Sequence, residues 1–352
     1  MRVLVTGGAG FVGGNVAVHL AQRGDWEVVA LDNLHRPGSE LNLPRLDTAG
    51  VRCVRGYVRE PDDLAAVGRV DALVECSAEP SVLAGVDGAV DYLVQTNLLG
   101  AYTCLEHCRR HDAQLVFLST SRVYPHTRLG AVELDETETR FVPRPEQEQP
   151  GITAAGVSEA FPLDGPRTLY GATKLAAELL IAEYAQVFGL RTVVNRFGVI
   201  AGPWQMGQVD QGIVTFWLAA HRFGRPLRYI GFGGKGKQVR DVLHVDDAVA
   251  LVEQQIAEPE RFNGTVVNAG GGADRSVSLV ELTSLCREVT GCETPVTAST
   301  ESRPGDVPYY VTDSTALEAM SDWRPTRSVE QTVADVDRWL VECEGTLRAV
   351  LR

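Results

Sequence analysis

The chain begins with a short apolar run that leads into a turn rich in glycine. Residues Arg2 to Thr6 have the composition of a buried strand, and an apolar helical stretch follows from Asn15 to Arg23. Between them stand Gly7, Gly10 and Gly13, which allow backbone N–H groups to approach an anion at the positive end of a helix. This order strongly constrains the fold, because it predicts a strand, a phosphate-binding turn and a helix of a parallel α/β architecture.

A carboxylate follows the second predicted strand, at the position that distinguishes NAD from NADP in dinucleotide-binding folds. The apolar segment Trp26 to Leu31 predicts a second strand, and Asp32 follows it, nineteen positions after Gly13. A carboxylate at this place accepts hydrogen bonds from an adenosine ribose and repels a 2′-phosphate, so the sequence predicts NAD rather than NADP. Arg36 is close in the sequence and favours NADP instead, because an arginine can bind a 2′-phosphate. The alternative, a glycine-rich loop of an unrelated fold, is disfavoured because strand, helix and acid are in register.

Composition narrows the class of protein. The 352 residues are 44% hydrophobic, which suffices for a core, and the formal net charge of −13 argues against nucleic acid and anionic membranes as partners. The apolar runs are too short or too interrupted by charges to span a bilayer, and a strand starting at Arg2 leaves no room for a signal peptide. We therefore expect a cytoplasmic protein. Seven cysteines and seven histidines lack the spacing of a disulfide framework or a metal site, so no metal is expected.

Strand-like and helix-like segments alternate along the first half of the chain. Residues 72–76 and 114–118 have strand patterns, and residues 91–111 between them have a helix pattern. The alternation predicts an α/β fold, a Rossmann-type doubly wound parallel sheet with a smaller C-terminal substrate-binding domain. Its ligand is expected at the carboxyl ends of the strands. Residues 125–166 interrupt the alternation with several prolines and glutamates, and we interpret this insertion as an active-site lid.

Beyond the strand-like segment from Arg191 to Asn195 the alternation is less regular, and we expect a domain boundary there. The NAD-binding domain is expected to comprise residues 1–195, with residues from about 241 to 270 returning to it. The substrate-binding domain is expected to comprise residues 196–240 and 271–352.

Two residues four positions apart suggest a general base. Tyr170 and Lys174 share a face if they lie on a helix, and a neighbouring ammonium favours the phenolate form of a tyrosine. Ser119 and Thr120 follow the strand 114–118, so a hydroxyl there can bind the oxygen that the tyrosine deprotonates. The alternative is a solvated Tyr–Lys face without a function. The dinucleotide pattern and the hydroxyls at the strand end favour the catalytic interpretation.

At this point the residues resemble a known family. From Val3 to about Trp323 the chain is similar to the extended short-chain dehydrogenases/reductases of the NAD-dependent nucleotide-sugar epimerase/dehydratase group. Some stretches further resemble the CDP-paratose 2-epimerase (CDP-tyvelose epimerase) branch of that family. These stretches are Asp32 to Gly38 followed by Asn42 and Leu43, Val209 to Gly212, and Gly236 to His244 with Asp246.

The resemblance implies a role for particular residues. Thr120, Tyr170 and Lys174 would be the catalytic set, with Lys174 also holding the nicotinamide ribose. The implied NAD-binding residues are Gly7, Gly10, Phe11, Val12, Gly13, Asp32, Asn33, Ser119, Tyr170 and Lys174. The implied substrate-binding residues are Thr120, Gln211, Arg240 and Arg303, of which the two arginines would engage the diphosphate.

The chain also departs from the family pattern. Many relatives have a His where Glu75 stands, and many have an Asp for adenine where Gly56 is followed by Tyr57. The dehydratases of the group carry an Asp-Glu pair directly after the threonine, where this chain has Ser121 and Arg122. Elimination of water therefore lacks its usual catalysts, and a 4,6-dehydratase is disfavoured.

The expected function is an NAD-dependent epimerase of a nucleotide-activated hexose. Transient oxidation to a keto sugar and re-reduction on the other face would invert C2 of a CDP-sugar. The alternatives are a 4-epimerase of a UDP-sugar or another nucleotide sugar, and a non-catalytic NAD-binding protein. Helical patterns at 97–111 and 173–188 suggest a homodimer or higher homo-oligomer, as in relatives, although packing on the sheet explains the same apolar faces.

The sequence leaves the roles of several residues open. Asn97 either orders the sheet edge, which we favour, or lies exposed. Trp204 either stacks on a base or sugar or packs in the core, and Arg240 has a surface or domain-bridging role as its alternative. For His244 and Asp246 we favour a structural pair that joins the two domains over a catalytic role.

Overall fold

The computed structural model describes residues 1–85, 90–208, 211–301 and 303–351, which form two compact units. Unit 1 comprises Met1–Thr120, Leu169–Arg196 and Ala248–Val267. Unit 2 comprises Ser121–Thr168, Phe197–Asp247 and Asn268–Arg352.

The bounds of the strands and helices follow in two stretches. Up to residue 197 they are β1 Arg2–Thr6, α1 Phe11–Gln22, β2 Glu27–Asp32, α2 Leu43–Thr48, β3 Arg52–Arg55, α3 Pro61–Ala65, β4 Ala72–Glu75, α4 Val90–Val94, α5 Gly100–His111, β5 Gln114–Thr120, α6 His126–Leu129, β6 Leu134–Glu136, β7 Phe141–Pro143, β8 Ile152–Thr153, β9 Gly156–Val157, α7 Leu169–Phe188 and β10 Thr192–Phe197. Beyond it they are β11 Val199–Ala201, α8 Ile213–Arg222, β12 Leu227–Ile230, β13 Val239–His244, α9 Val245–Ala257, α10 Pro259–Phe262, β14 Thr265–Ala269, β15 Ser276–Ser278, α11 Leu279–Thr290, β16 Val296–Ser299, β17 Tyr309–Tyr310, α12 Thr315–Met320, α13 Val329–Glu342 and α14 Glu344–Val350.

The described part of the chain places seven strands in one sheet, in the order β14-β10-β5-β4-β1-β2-β3. Strand β1 pairs in parallel with β2 and with β4, and β5 pairs in parallel with β4. The central strands are buried on both faces, as expected where helices cover a parallel sheet on either side. The α/β doubly wound fold predicted from the sequence is therefore confirmed. The strand order changes direction at β1, so the carboxyl ends of β1 and β4 flank a topological switch point.

One face of this sheet packs against α5 and α7. The core there includes Leu4, Leu73 and Phe117 from the sheet and Ala177 and Ile181 from α7, all 1% exposed or less. Helix α7 is thus fixed to the sheet by apolar burial along its length, which holds the residues of its first turns in place.

The helix predicted at 91–111 is interrupted. Between α4 and α5, residues Gln95–Leu99 form a π-helical turn, which widens the helix by one residue. The turn carries the fully buried Asn97. Its amide donates to the carbonyl of Glu79 at 3.1 Å and to Thr173 Oγ1 at 3.2 Å, and its carbonyl oxygen accepts from the Glu79 N–H at 2.8 Å. Asn97 therefore orders the segment after β4, which is the interpretation that the sequence favoured.

Unit 2 contains smaller sheets. Strand β13 pairs with β11, β15 and β17, and β12 pairs with β16. Helices α11 and α13 begin with capping boxes, formed by Ser278 with Glu281 and by Ser328 with Gln331.

The segment 121–168 differs from its expected assignment. The sequence placed it in the NAD-binding half, whereas it belongs to unit 2. Backbone hydrogen bonds explain the difference: Val157 donates to Val311 O at 2.7 Å, Asp313 donates to Val157 O at 3.0 Å, and Phe141 donates to Lys237 O at 3.0 Å. Pairing with residues far along the chain, rather than sequence proximity, decides where this insertion belongs.

Candidate active site

The glycine turn after β1 is tightly packed around its backbone. Gly7 has φ +61°, and a Cβ there would lie 2.8 Å from the carbonyl oxygen of Cys76, the residue after β4. A Cβ on Gly13 would lie 2.2 Å from the Gly7 carbonyl oxygen, so only glycine permits this close approach. The turn therefore presents backbone atoms rather than side chains at the edge of the sheet.

Helix α1 presents its N-terminus at this turn. Its N-cap is Gly10, which offers no side-chain acceptor, so the first-turn amides of Phe11, Val12 and Gly13 have no side-chain cap. Uncapped amides and the positive end of the helix dipole favour an anion. The residues present therefore fit the pyrophosphate of a dinucleotide.

Asp32 and Asn33 lie at the end of β2, where the sequence predicted the ribose-binding acid. The Asp32 carboxylate accepts from Ala9 N at 3.0 Å and from Leu34 N at 2.8 Å, so it also shapes the glycine turn. Burial raises the pKa of Asp32, while these backbone amides oppose that shift. Asn33 Oδ1 accepts from His35 N at 2.9 Å.

Tyr57, which stands where relatives have an acid for adenine, is 44% exposed. The guanidinium of Arg59 lies 5.2 Å from the centre of its ring.

The predicted catalytic residues of unit 1 are all buried. Thr120 and Ser119 are the last residues of β5 rather than residues that follow it, and Tyr170 and Lys174 lie on the first turns of α7. Thr120 and Tyr170 are 9% exposed and Lys174 is 2% exposed. A solvated Tyr–Lys face, the alternative considered from the sequence, is therefore wrong.

Hydrogen bonds hold the first turns of α7 in place. Thr173 Oγ1 donates to the Tyr170 carbonyl oxygen at 2.8 Å and accepts from Asn97. The π-helical turn and α7 are thereby connected one residue before Lys174.

The ammonium of Lys174 is paired with a buried carboxylate. Its Nζ donates to Glu75 Oε2 at 3.1 Å and lies 4.2 Å from the centre of the Phe117 ring. Burial raises the pKa of Glu75, while the charge of Lys174 and its hydrogen bond oppose the shift.

A second buried ion pair lies one turn further along α7. Glu178 accepts from Arg196 Nη2 at 2.7 Å and from Arg196 Nε at 3.1 Å, and the hydroxyl of Ser119 also donates to its carboxylate. Ser119, predicted to contact the cofactor, thus joins the end of β5 to α7 and β10.

Within unit 2, Arg240 lies on β13 with its guanidinium engaged. It donates to Asp306 Oδ1 at 2.9 Å and to the carbonyl oxygens of Val239 and Val307, both at 2.7 Å. Burial lowers the pKa of Arg240 to about 10; Asp306 opposes this shift and Arg122 adds to it. At neutral pH the group remains a cation.

Other residues singled out in the sequence also lie in unit 2. Arg122, which stands where dehydratases have an acid, donates to Gly305 O at 3.0 Å, and Arg303 opens the loop that carries Gly305 and Asp306. Gln211 forms backbone hydrogen bonds with Gln208. Val209 and Asp210, part of a stretch on which the family resemblance rests, lie outside the described residues.

Two further sequence interpretations concern unit 2. Trp204 is half-buried, and its ring lies 6.0 Å from that of Trp339. His244 is 3.6 Å from Asp246 and 3.5 Å from Asp335. His244, Asp246 and Asp335 all belong to unit 2, so these two contacts lie within that unit.

Sequence reasoning missed the two buried ion pairs in which α7 takes part. Glu75 was noted only as a departure from relatives, and Glu178 and Arg196 were given no paired role. A charged residue inside an otherwise apolar strand, as in residues 72–75, was the available signal, because a buried charge needs a partner.

Metal clusters and membrane-spanning helices are both absent from the described ranges. No group of three or more His, Cys, Asp or Glu side chains there is arranged to hold a metal ion. No helix within these ranges has the length and apolar character needed to cross a membrane.

Comparison with known proteins identifies the family. The sequence model of the NAD dependent epimerase/dehydratase family matches residues 3–270. CDP-paratose 2-epimerase of Salmonella typhi is 29% identical over 96% of this chain and 99% of its own, and dTDP-glucose 4,6-dehydratase of Mycobacterium tuberculosis is 31% identical over 92% and 88%. The structure of UDP-glucose 4-epimerase from Thermus thermophilus in complex with NAD has a TM-score of 0.79 at 27% identity, covering 97% of this chain and 99% of its own. The chain therefore belongs to the NAD-dependent epimerase/dehydratase family and is an enzyme whose cofactor is NAD.

Proposed function

We propose that this enzyme epimerises a nucleotide-activated hexose, at C2 of a CDP-sugar. The observation that carries the proposal is the burial of Tyr170 and Lys174 on the first turns of α7, together with Thr120 at the end of β5. A binding protein has no need for a tyrosine, a lysine and a threonine held in this way.

The proposed mechanism assigns each residue a task. Tyr170 takes the proton of a sugar hydroxyl and later returns it, which requires a base that is effective near neutral pH. The ammonium of Lys174 stabilises the phenolate, and the hydroxyl of Thr120 donates a hydrogen bond to the reacting oxygen. NAD, which the glycine turn and Asp32 would hold, would supply the hydride chemistry for transient oxidation of the sugar carbon and its re-reduction on the opposite face.

In this proposal two arginines hold the substrate's diphosphate. Arg240 and Arg303 are the assigned cations, since a guanidinium forms paired, charge-assisted hydrogen bonds with phosphate oxygens. Asp306 and two backbone carbonyls orient the Arg240 guanidinium, which reduces the entropy lost when it binds an anion.

Two features separate epimerisation from the other reactions of the family. Ser121 and Arg122 follow Thr120, so the acid pair that the family resemblance assigns to dehydratases is missing. The similarity to CDP-paratose 2-epimerase favours C2 of a CDP-sugar. The structural similarity to a UDP-glucose 4-epimerase supports the alternative, a 4-epimerase of a UDP-sugar or another nucleotide sugar. A non-catalytic NAD-binding protein is the further alternative.

The test is a panel of CDP-, UDP-, GDP-, ADP- and dTDP-hexoses, incubated with the purified enzyme and NAD and followed by proton NMR. Inversion at C2 of a CDP-sugar is the expected result. Inversion at C4 of a UDP-sugar would instead support the 4-epimerase. Loss of water from any sugar would contradict epimerisation. NAD binding without turnover of any sugar would favour the non-catalytic alternative.

We further propose that the protein forms a homodimer through α5 and α7 and acts in the cytoplasm. Apolar side chains along this part of unit 1 are between 46% and 64% exposed, namely Leu99, Tyr102, Leu179, Val187 and Phe188. The substitution Leu179→Glu is expected to shift the mass measured by light scattering toward the monomer, and an unchanged mass would contradict this interface.

A further inference from the structure

Glu75 is a charged residue in a strand that is otherwise apolar. It ends β4 and is 0% exposed. In the registers of the sheet it is aligned with Thr6 of β1 on one side and Phe117 of β5 on the other. Aligned residues of parallel strands share a face, so Glu75 stands between a hydroxyl and an aromatic ring under α7.

The partner of Glu75 is the lysine of the proposed catalytic set. The Lys174 ammonium donates to Glu75 Oε2 at 3.1 Å, and the two side chains are 2% and 0% exposed. An ammonium has three donors, and Glu75 is the hydrogen-bond partner that the described residues provide for Lys174. The pair therefore uses one donor of Lys174.

The chain next to Glu75 also supports the glycine turn. Cys76, the following residue, has its carbonyl oxygen where a Cβ on Gly7 would come within 2.8 Å, and its N–H donates to Thr6 O at 3.3 Å. Glu75, which pairs with Lys174, is thus the neighbour in sequence of Cys76, whose backbone packs against the glycine turn.

Two thiols interact electrostatically with the pair, those of Cys76 and of Cys104 on α5. Burial raises the pKa of both, so neither thiol supplies a negative charge to Lys174 near neutral pH. The hydrogen bond to Glu75 is therefore the interaction that distinguishes this carboxyl from the other acidic groups around Lys174.

We propose that Glu75 is the positioning residue of Lys174: its carboxylate fixes one donor of the buried ammonium and so directs the others to the NAD ribose and the Tyr170 oxygen. The roles of Lys174 and Tyr170 in this statement rest on the proposed function. The pairing itself does not, because its effect is measured on the Lys174 signal and on NAD affinity, without a sugar substrate.

The lysine content of the chain makes a direct test feasible. The sequence contains only Lys174, Lys235 and Lys237, so protein labelled with ¹³C at the lysine Cε gives few signals to assign. Both other lysines pair with Glu136, whose carboxylate is 40% exposed, whereas Lys174 pairs with a fully buried one. The chain therefore contains its own matched control.

The experiment compares wild type, Glu75→Gln and Glu136→Gln by the chemical shifts of the lysine Cε signals. Glu75→Gln replaces the group that accepts a hydrogen bond from Lys174, so it is expected to move the Lys174 signal and to leave the other two in place. Glu136→Gln is expected to move the signals of Lys235 and Lys237 and to leave that of Lys174 in place. An unmoved Lys174 signal in E75Q would overturn the proposal.

NAD affinity provides the second measurement and needs no sugar substrate. We expect E75Q to weaken NAD binding by about tenfold or more, measured by calorimetry, and E136Q to leave it unchanged. A change in melting temperature with wild-type NAD affinity would mean that Glu75 has a structural role only, which overturns the proposal.

A conservative variant keeps the test decisive if E75Q does not fold. Glu75→Asp retains the carboxylate but withdraws it by one methylene, so the hydrogen bond to Lys174 is lengthened and NAD binding should weaken. Wild-type NAD affinity in E75D would contradict a positioning role. If the proposed epimerisation fails and these results hold, only the reaction assignment is wrong.

Discussion

Two kinds of ion pair in this enzyme differ in their exposure to solvent. Helix α7 of unit 1 carries Lys174 and Glu178, whose pairs with Glu75 and Arg196 are between 0% and 7% exposed. In unit 2, Glu136 at the end of β6 pairs with Lys235 through side chains that are 40% and 53% exposed.

This difference in exposure changes what each kind of pair contributes to the protein. Exposed pairs contribute little to stability because water and salt screen them. Buried pairs cost desolvation, and breaking one leaves an uncompensated charge in the protein interior. Two such pairs one turn apart on α7, next to the proposed base, indicate that this helix is built to hold charge in fixed positions.

The largest effect should come from the group that these charges surround. Removing the hydroxyl by Tyr170→Phe is expected to reduce turnover by roughly a thousandfold or more, because no other group takes the substrate proton. Tyr184→Phe is the matched control on the same helix, since Tyr184 donates to Glu106 Oε1 at 2.8 Å. Steady-state kinetics of both variants measure the contrast, and a Y170F enzyme as fast as Y184F would refute the role of Tyr170.

The next effect concerns stability. Glu178→Gln removes the charge that compensates Arg196, and breaking such a buried pair costs about 3 kcal/mol of unfolding free energy. Urea denaturation measures this loss, with Glu136→Gln as the exposed counterpart. Equal unfolding free energies of the two variants would mean that the buried pair contributes no more to stability than the exposed one.

A smaller, more specific effect is expected at Arg240. Its replacement by alanine should raise KM for the nucleotide sugar by about tenfold to a hundredfold, the effect of losing a charged hydrogen bond, while NAD affinity stays the same. Arg228→Ala removes a guanidinium of the same unit that is 58% exposed and serves as the control. If KM were the same in both variants, Arg240 would have no role in binding the diphosphate.

The smallest effect should come from the exposed pair. Lys235 and Lys237 lower the pKa of Glu136 from 4.5 to about 2, so whatever the pair contributes is present above pH 4.5 and lost as the pH falls toward 2. Because solvent screens the pair, the unfolding free energies of E136Q and wild type should fall together over this range. A difference in unfolding free energy between wild type and E136Q that disappears as the pH falls would show that the exposed pair contributes to stability.

Local sequence patterns predicted the parts of the fold that depend on local chemistry. The glycine turn, the strands at its sides and helix α7 follow from residue spacing, because periodicity and backbone freedom are properties of short segments. Boundaries moved by a few residues, as where α1 begins at Phe11 and β5 extends through Thr120.

Features that depend on distant partners were not predictable from one sequence. The π-helical turn at Asn97 is tied to Glu79 and Thr173, and Glu75 meets a lysine 99 residues away. The insertion 121–168 is drawn to unit 2 by residues near 311. Such pairings arise from the tertiary structure, so the sequence marked these residues only as polar groups in apolar surroundings.

In the proposed epimerisation the substrate's own hydrogen leaves and returns at one carbon. The decisive experiment incubates the enzyme and NAD with the CDP-hexose in deuterated water and records proton NMR of the product. Inversion at C2 with the original hydrogen retained there is the expected result. Deuterium at the inverted carbon would show exchange with solvent through an enol and would refute a hydride shuttle.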